Sequence, residues 1–254
     1  MAATKAGNIF VGVGGWNFAP WRGPFYPKGL PQSQELHYAS RQLTSIEINS
    51  TFYGLQKPAT FQKWHDQTPD DFVFSVKAPR FVTHRKSLAE AASSIERFLA
   101  SGLLRLGAKL GPINWQLPPN KDFDPQDLDA FLTLLPRKLE GRVLRHALEA
   151  RHASFDNQAL LALLRKHQVA LVEAGDSIYP HIEARTAPFS YLRVMGTKAS
   201  APKGYPPAGL ARWRERAHSL ARDGDVFLYF ISGAKQRNPQ AAQALLAALT
   251  KEQS

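Results

Sequence analysis

The sequence predicts a single (β/α)₈ barrel spanning residues 1–254. Two features carry that expectation. The chain has 254 residues, close to the roughly 250 typical of such barrels. Eight short β-rich runs alternate with segments of helical period from end to end, and long crossovers between strands imply parallel pairing, with eight repeats favouring closure over an open sheet. No linker, low-complexity tract or longer repeat divides the chain.

The eight runs are Ile9–Val13, Ser45–Asn49, Phe72–Lys77, Ile113–Leu117, His146–Arg151, Val169–Glu173, Tyr191–Met195 and Val226–Ile231. Between them, Leu88–Ala100 places Ile95, Phe98 and Leu99 at helical spacing, and Gly102 follows as a C-cap. Pro125–Leu135 opens with proline in the first turn behind Asp124, a good N-cap, and stops at Pro136. Phe155–His167 gathers Leu160, Leu161, Leu163 and Leu164 on one face and ends in Arg165, Lys166 and His167, where cations suit the helix dipole. Pro239–Leu249 closes the chain behind Asn238, another expected cap. The stretch after the sixth strand, Gly175–Pro188, holds two prolines and no helical pattern, so a short or irregular element is expected there.

Composition narrows the chemistry. There is no cysteine, which removes thiolate metal sites and cysteine nucleophiles. The first residues lack the apolar core of a signal peptide, and no apolar run approaches the roughly 18 residues of a membrane span, so a soluble, cytoplasmic protein without a membrane partner is expected. The formal charge is +11, unevenly spread. Between Arg185 and Arg222 lie eight basic residues (Arg185, Arg193, Lys198, Lys203, Arg212, Arg214, Arg216, Arg222) against one acid, Glu215. Such a stretch suits an anionic partner, or serves as a solvated face.

Strands of a parallel barrel are covered on both faces and read as apolar, so polar residues near their C-terminal ends mark the working end of the fold. The period of two sends Ile46 and Ile48 toward the helices and Glu47 and Asn49 into the barrel. By the same alternation Ser75 and Lys77, then Glu149 and Arg151, then Tyr191 and Arg193 become more polar toward the top. Gln116 ends the fourth strand and Asp176 lies just past the sixth. Glu47, Lys77, Glu149, Arg151 and Arg193 thus converge. They form either a charged network filling the barrel or a site.

A set of motifs runs along the chain: Gly12-Val13-Gly14-Gly15-Trp16, Trp21-Arg22-Gly23, Phe25-Tyr26-Pro27, Glu47-Ile48-Asn49-Ser50-Thr51-Phe52-Tyr53, Phe61 and Trp64. It continues through Phe74-Ser75-Val76-Lys77-Ala78-Pro79-Arg80, Thr83-His84, Leu106-Gly107, Gln116-Leu117-Pro118-Pro119, Glu149-Ala150-Arg151-His152, Tyr191-Leu192-Arg193 and Tyr229-Phe230. The resemblance these motifs carry is to the YecE-like family of barrel proteins. It implies a barrel similar to xylose isomerases and endonuclease-IV-type repair nucleases, and it assigns no reaction. The chain departs from the family's asparagine-rich turn after the eighth strand, reading Phe230-Ile231-Ser232-Gly233. Around the sixth strand it matches only at Asp176.

Three chemistries are compatible with these residues. A divalent-metal phosphodiesterase would draw on Glu47, Glu149 and Asp176 with His84, His152 and His181. Lys77, Arg151 and Arg193 aimed at the same space disfavour it, and no cofactor is called for. A metal-free site would use Glu47 or Glu149 as proton donor or acceptor, with Lys77 and Arg151 tuning it or holding an oxyanion. An anion site would use Arg193 with the loops after strands seven and eight, which hold Lys198, Lys203, Lys235, Arg237 and Asn238 ahead of a helix N-terminus. Gly12-Val13-Gly14-Gly15 lacks the full dinucleotide fingerprint and reads as a place where backbone needs room. The rim aromatics Trp16, Trp21, Phe52 and Tyr53 either stack on a ligand or pack the loops.

The expectation is therefore a site with Glu47, Lys77, Glu149 and Arg151 at its centre, and Trp16, Asn49, Tyr53, His84, Gln116, His152, Asp176, Arg193, Lys198 and Lys235 around it. It would serve an enzyme of hydrolase or lyase type acting on a phosphate-bearing ligand, either nucleic acid or a phosphorylated small molecule. The rival from another class is a barrel that binds such a ligand without turnover. The oligomeric state is not legible.

Overall fold

A computed structural model describes residues 6–250. Eight parallel strands close in sequential order into a barrel: β1 (Ile9–Gly14), β2 (Ser45–Ile48), β3 (Val73–Lys77), β4 (Leu110–Gln116), β5 (His146–Glu149), β6 (Ala170–Gly175), β7 (Phe189–Val194) and β8 (Asp225–Phe230). Outside them run α1 (Glu35–Gln42), α2 (Pro58–Gln67), α3 (Ala92–Leu99), α4 (Pro125–Thr133), α5 (Gln158–His167), α6 (Pro207–Ala221) and α7 (Asn238–Thr250). A two-stranded ribbon, Lys138–Leu139 with Arg142–Val143, bridges α4 and β5. Between β6 and β7 the chain crosses without a helix, as the prolines there lead one to expect.

The caps explain where the helices begin. Asp124 accepts the N–H groups of Gln126 and Asp127 at 2.9 and 3.0 Å, which fixes the first turn of α4. α5 starts at Gln158 rather than Phe155, because Asn157 accepts the Leu160 N–H and so takes the capping position. Asn238 does not cap α7. It already has helical dihedrals, and its buried amide is used elsewhere: Oδ1 accepts from Thr197 Oγ1 at 2.8 Å and Nδ2 donates to the Ser232 carbonyl.

The outward faces of the strands supply the main core. Val11, Val13, Ile46, Ile48, Phe74, Val76, Ile113, Trp115, Leu192 and Leu228 are fully buried against the helices. Trp115 packs edge-on to Phe98 of α3 and Phe131 of α4; truncating so large a side chain costs about 3–5 kcal/mol.

Inside the barrel the side chains form layers of rising polarity. At the bottom Phe10 stacks on Phe227 with ring centroids 4.9 Å apart, and Phe189 meets Phe227 edge-on. Above them Tyr191 and Tyr229 lie together; the Tyr229 hydroxyl is 2.7 Å from Ser45 Oγ and that of Tyr191 is 2.6 Å from Ser75 Oγ. These contacts join strands that are not neighbours, so they cross the interior. Gly12 has no room for a side chain: a Cβ there would sit 1.8 Å from the Ser45 carbonyl oxygen. Gly12 thus serves the close backbone approach of β1 to β2, whereas a Cβ at Gly14 would meet the side chains of Asn49 and Ile231.

His146 sets an acid limit on this packing. It is buried beside Trp115, whose indole N–H donates to Nδ1 at 3.1 Å, while Nε2 is 2.9 Å from the Pro136 carbonyl. The neutral ring with hydrogen on Nε2 satisfies both contacts. Burial pushes its pKa down to about 4, opposed by the Pro136 carbonyl. A pKa lowered on folding adds stability that is complete above the unfolded value near 6.5 and is lost as pH falls through 4. Urea unfolding between pH 7 and 4 should therefore show a decline of up to about 1.4 kcal/mol per pH unit from this group. His146→Leu should lack that part of the slope; identical slopes in the two proteins would show that His146 is not the source.

Candidate functional site

The top of the barrel opens into a cleft of about 720 Å³. Beneath its floor lies a layer of ions. Arg193 on β7 stands between two fully buried carboxylates, Glu47 on β2 and Glu149 on β5. Its Nε and Nη2 each donate to Glu47 at 3.0 Å, and Nη1 donates to Glu149 at 2.6 Å. Tyr191 adds a 2.7 Å hydrogen bond to Glu47 from below. Arg151, just past β5, donates through Nε to the other Glu149 oxygen at 2.8 Å and through Nη2 to Gln116 Oε1 at 2.8 Å, and its guanidinium rests on the Tyr179 ring. Asn114 Nδ2 lies 3.4 Å from both carboxylates.

These partners fix the protonation states. Burial alone would raise the Glu149 pKa, but Arg193, Arg151 and Lys77 more than reverse it and hold the carboxyl below its ordinary value. Burial disfavours the Arg193 charge, yet Glu149 and Glu47 outweigh it and raise its pKa. Burial and the hydroxyl's proximity to Glu47 raise Tyr191, keeping it a neutral donor.

Lys77 differs from the other cations. Its Nζ lies over the Phe52 ring, 4.0 Å from the centroid, and lines the cleft. Among the described residues it forms no ion pair or hydrogen bond through Nζ. Burial pushes its pKa down to about 8, helped by Arg193 and Arg151 and opposed by Glu47 and Glu149. His84, edge-on to the same Phe52 ring, is also shifted down, by burial and then by Arg80, Lys77 and Arg151. Two carboxylates face three cations (Lys77, Arg151, Arg193), which leaves one positive charge when Lys77 is protonated.

The sequence-predicted residues divide into three groups. Trp16, Asn49, Tyr53, Lys77, His84, Gln116, Arg151, Arg193 and Lys235 line one cleft. Glu47 and Glu149 lie under its floor, fully buried. His152, Asp176 and Lys198 are not on its wall. His152 caps the turn Ala153–Phe155 and lies 3.2 Å from Asp122. Asp176 has φ +52° and turns toward α6, where Arg212 and Trp213, with Tyr205 from the loop before that helix, bind its carboxylate. Lys198 is exposed in the loop after β7. Trp21 packs the rim, with its indole N–H on the Lys235 carbonyl, whereas Phe52 supports Lys77.

Several cleft residues lie outside the expected set: Asn17, Phe18, Ser50, Gln56, Trp64, Pro119, Ile231 and Ser232. Trp64 reaches the rim from α2 and meets Trp16 edge-on at 5.2 Å. Asn114, under the floor, was legible, since it alternates with Ile113 and Trp115 in phase with Gln116.

One His/carboxylate group lies elsewhere. Glu173, His181 and Glu183 place ligand-type atoms within 4.8 Å of one another. Arg216 enters the same group, 2.7 Å from Glu173 and 3.1 Å from Glu183, so a cation already compensates these acids. The carboxylates of the cleft floor are likewise occupied by Arg193 and Arg151, a poor donor set for a metal.

Fold and site together define a (β/α)₈ barrel with a cation-rich cleft over buried carboxylates. The chain belongs to the family described as "Protein of unknown function DUF72", whose model matches residues 10–254. It is 31% identical over 150 residues to UPF0759 protein YecE of Escherichia coli K12, covering 58% of this chain and 50% of that protein; it thus matches about half the length of this curated relative. Among solved structures, a DUF72 family protein from Thermotoga maritima superposes with a TM-score of 0.74 at 23% identity, covering 97% of this chain and 99% of that one. A DUF72 family protein from Enterococcus faecalis gives 0.73 at 16% identity, over 96% and 98%. At these identities the structures establish the fold. Among the described residues no helix is long and apolar enough to cross a membrane.

Removing Arg193 should expose how strongly the ions depend on one another. Arg193→Met leaves two buried carboxylates short of their shared partner and should cost about 3–5 kcal/mol by urea unfolding. Adding Glu47→Gln and Glu149→Gln to that variant should recover much of the loss. A single-variant loss below about 1 kcal/mol would mean that the layer is better hydrated than its burial indicates.

Proposed function

We propose that the cleft is an active site for a small phosphate-bearing molecule, working by metal-independent acid–base chemistry at Lys77. The observation that carries this reading is the inequality among the cations: Arg193 and Arg151 are committed to carboxylates, while the Lys77 amine faces the cleft uncommitted. A general acid or base works best with a pKa near the operating pH, and Lys77 lies at about 8. Glu47 and Glu149, either of which the sequence offers as proton donor or acceptor, are better suited as fixed counterions that hold the arginines and limit the floor's positive charge. The residual charge, Arg151 and Lys235 would receive the anion. Trp16, Phe18, Phe52 and Tyr53 offer apolar surface to the rest of the molecule.

Two observations favour a small molecule over nucleic acid. The cleft volume falls within the roughly 300–1,000 Å³ range of small-ligand pockets. Of the eight basic residues from Arg185 to Arg222, Arg193 alone lines the cleft; Arg185, Arg212 and Arg216 pair with Asp223, Asp176 and Glu173 instead.

Calorimetric titration with inorganic phosphate, beside fluorescence anisotropy of labelled single-stranded and duplex oligonucleotides at several salt concentrations, tests this. Phosphate should bind with an affinity that falls as pH rises through about 8, because Lys77 loses its proton there. The groups around it that shape this titration are Arg193, Arg151, Glu47, Glu149 and His84. Lys77→Met should weaken phosphate about tenfold, the scale of one charge-assisted hydrogen bond, and remove the pH break. Lys77→Arg should retain binding, and once a substrate is found it should lose turnover; retained turnover would favour a binding protein. Tight oligonucleotide binding with a log–log salt slope of several times 0.7–0.9, that is several phosphate contacts, would overturn the small-molecule reading.

A further inference from the structure

We infer that Lys77 is a Schiff-base lysine, and that the cleft takes an aldehyde or ketone carrying an anionic group. This deepens the reading of the cleft as an anion site and rests on it. The geometry supplies what such chemistry needs. Nζ is at the end of a side chain that is itself nearly enclosed, with 7% of the residue exposed, and the residue lines the cleft. Among the described residues no carboxylate holds the amine in its charged form by direct contact, in contrast to Arg151 and Arg193. Burial, and after it the guanidiniums of Arg193 and Arg151, disfavour the ammonium against the opposing pull of Glu47 and Glu149, and the amine form of lysine, the nucleophilic one, is accordingly populated near neutral pH.

The surroundings also fit the product. The nitrogen lone pair attacks the carbonyl carbon while the carbonyl oxygen takes up a proton. The resulting carbinolamine then loses its hydroxyl as water with a second proton, and the C=N bond forms. Amine plus carbonyl gives imine plus water, with no oxidant, reductant or metal in the balance. A protonated imine keeps a positive charge over the Phe52 face, where the ammonium lies now at 4.0 Å, and aromatic faces stabilise such cations. His84 is edge-on to that same ring, exposed at the rim and shifted toward its neutral form, which suits it to carry protons between the carbinolamine and solvent. Arg151 and Gln116, hydrogen-bonded to each other at the floor, provide donors for the substrate's anionic or oxygen substituents.

Pyridoxal 5′-phosphate serves as the probe, an aldehyde and a phosphate in one molecule, with pyridoxal as its neutral counterpart. The full chain is treated with less than one equivalent, reduced with borohydride, and its lysines are mapped by peptide mass spectrometry. Lys77 should take up the label at least about tenfold faster than any other lysine, as expected when an activated amine lies beside a bound anion. Inorganic phosphate should suppress the labelling, and Lys77→Arg, which keeps the charge, should abolish it while the circular dichroism spectrum is unchanged. Label spread over surface lysines with Lys77 unmodified would overturn the Schiff-base assignment, even where calorimetry shows that phosphate binds. Equal labelling of Lys77 by pyridoxal, with no competition from phosphate, would retain the nucleophile and overturn the anionic substrate class together with the anion site beneath it.

Discussion

The upper half of this barrel depends on one guanidinium held between two carboxylates from different strands. Arg193 ties β7 to β2 and β5 at once, with contacts of 2.6–3.0 Å. A single buried ion would be intolerable there, and Arg193 paired with one carboxylate alone would leave the other uncompensated. The arrangement closes because Arg151 shares Glu149, because Tyr191 supplies a neutral donor to Glu47, and because Gln116 and Asn114 fill the remaining space. Each of these groups lies on a strand or within two residues of its end. The site is therefore built on the rigid part of the fold, and the loops decorate it.

That origin explains what was legible in the sequence. Glu47, Lys77, Glu149, Arg151 and Arg193 could be placed together because a barrel strand has only two faces and alternates between them. Asn114 obeys the same rule and was passed over only because an asparagine among apolar neighbours draws less notice than a charge. Asp176 and Lys198 lie beyond strand ends, where alternation no longer applies. The sequence could not show that Asp176 would adopt a left-handed backbone conformation and face α6. Trp64 comes from a helix, and its arrival beside Trp16 depends on how α2 docks. Asn238 looked like a cap by residue type, but its amide was claimed by Thr197 and Ser232.

The charge distribution teaches a related lesson. The basic stretch from Arg185 to Arg222 looked like a surface for an anionic partner, yet much of it answers acids of its own chain: Asp223, Asp176, Glu173 and Glu183. Linear charge counts do not see partners far away in sequence. What distinguishes the cleft is the commitment of its charges, since two of the cations at its floor already have carboxylates and the third does not.

The rising polarity of the barrel interior, from phenylalanines through tyrosines and serines to ions, has a consequence for how such a protein changes over time. The rim residues Trp16, Phe18, Tyr53, Trp64 and Lys235 supply no hydrogen bond to the Arg193 clamp. Rewriting them would reshape the mouth of the cleft and leave the electrostatics of the floor as they are. The outline of the cleft and the charge beneath it are thus carried by separate parts of the chain. Substitutions at the rim alone can remodel the cleft while the costly ionic layer stays intact.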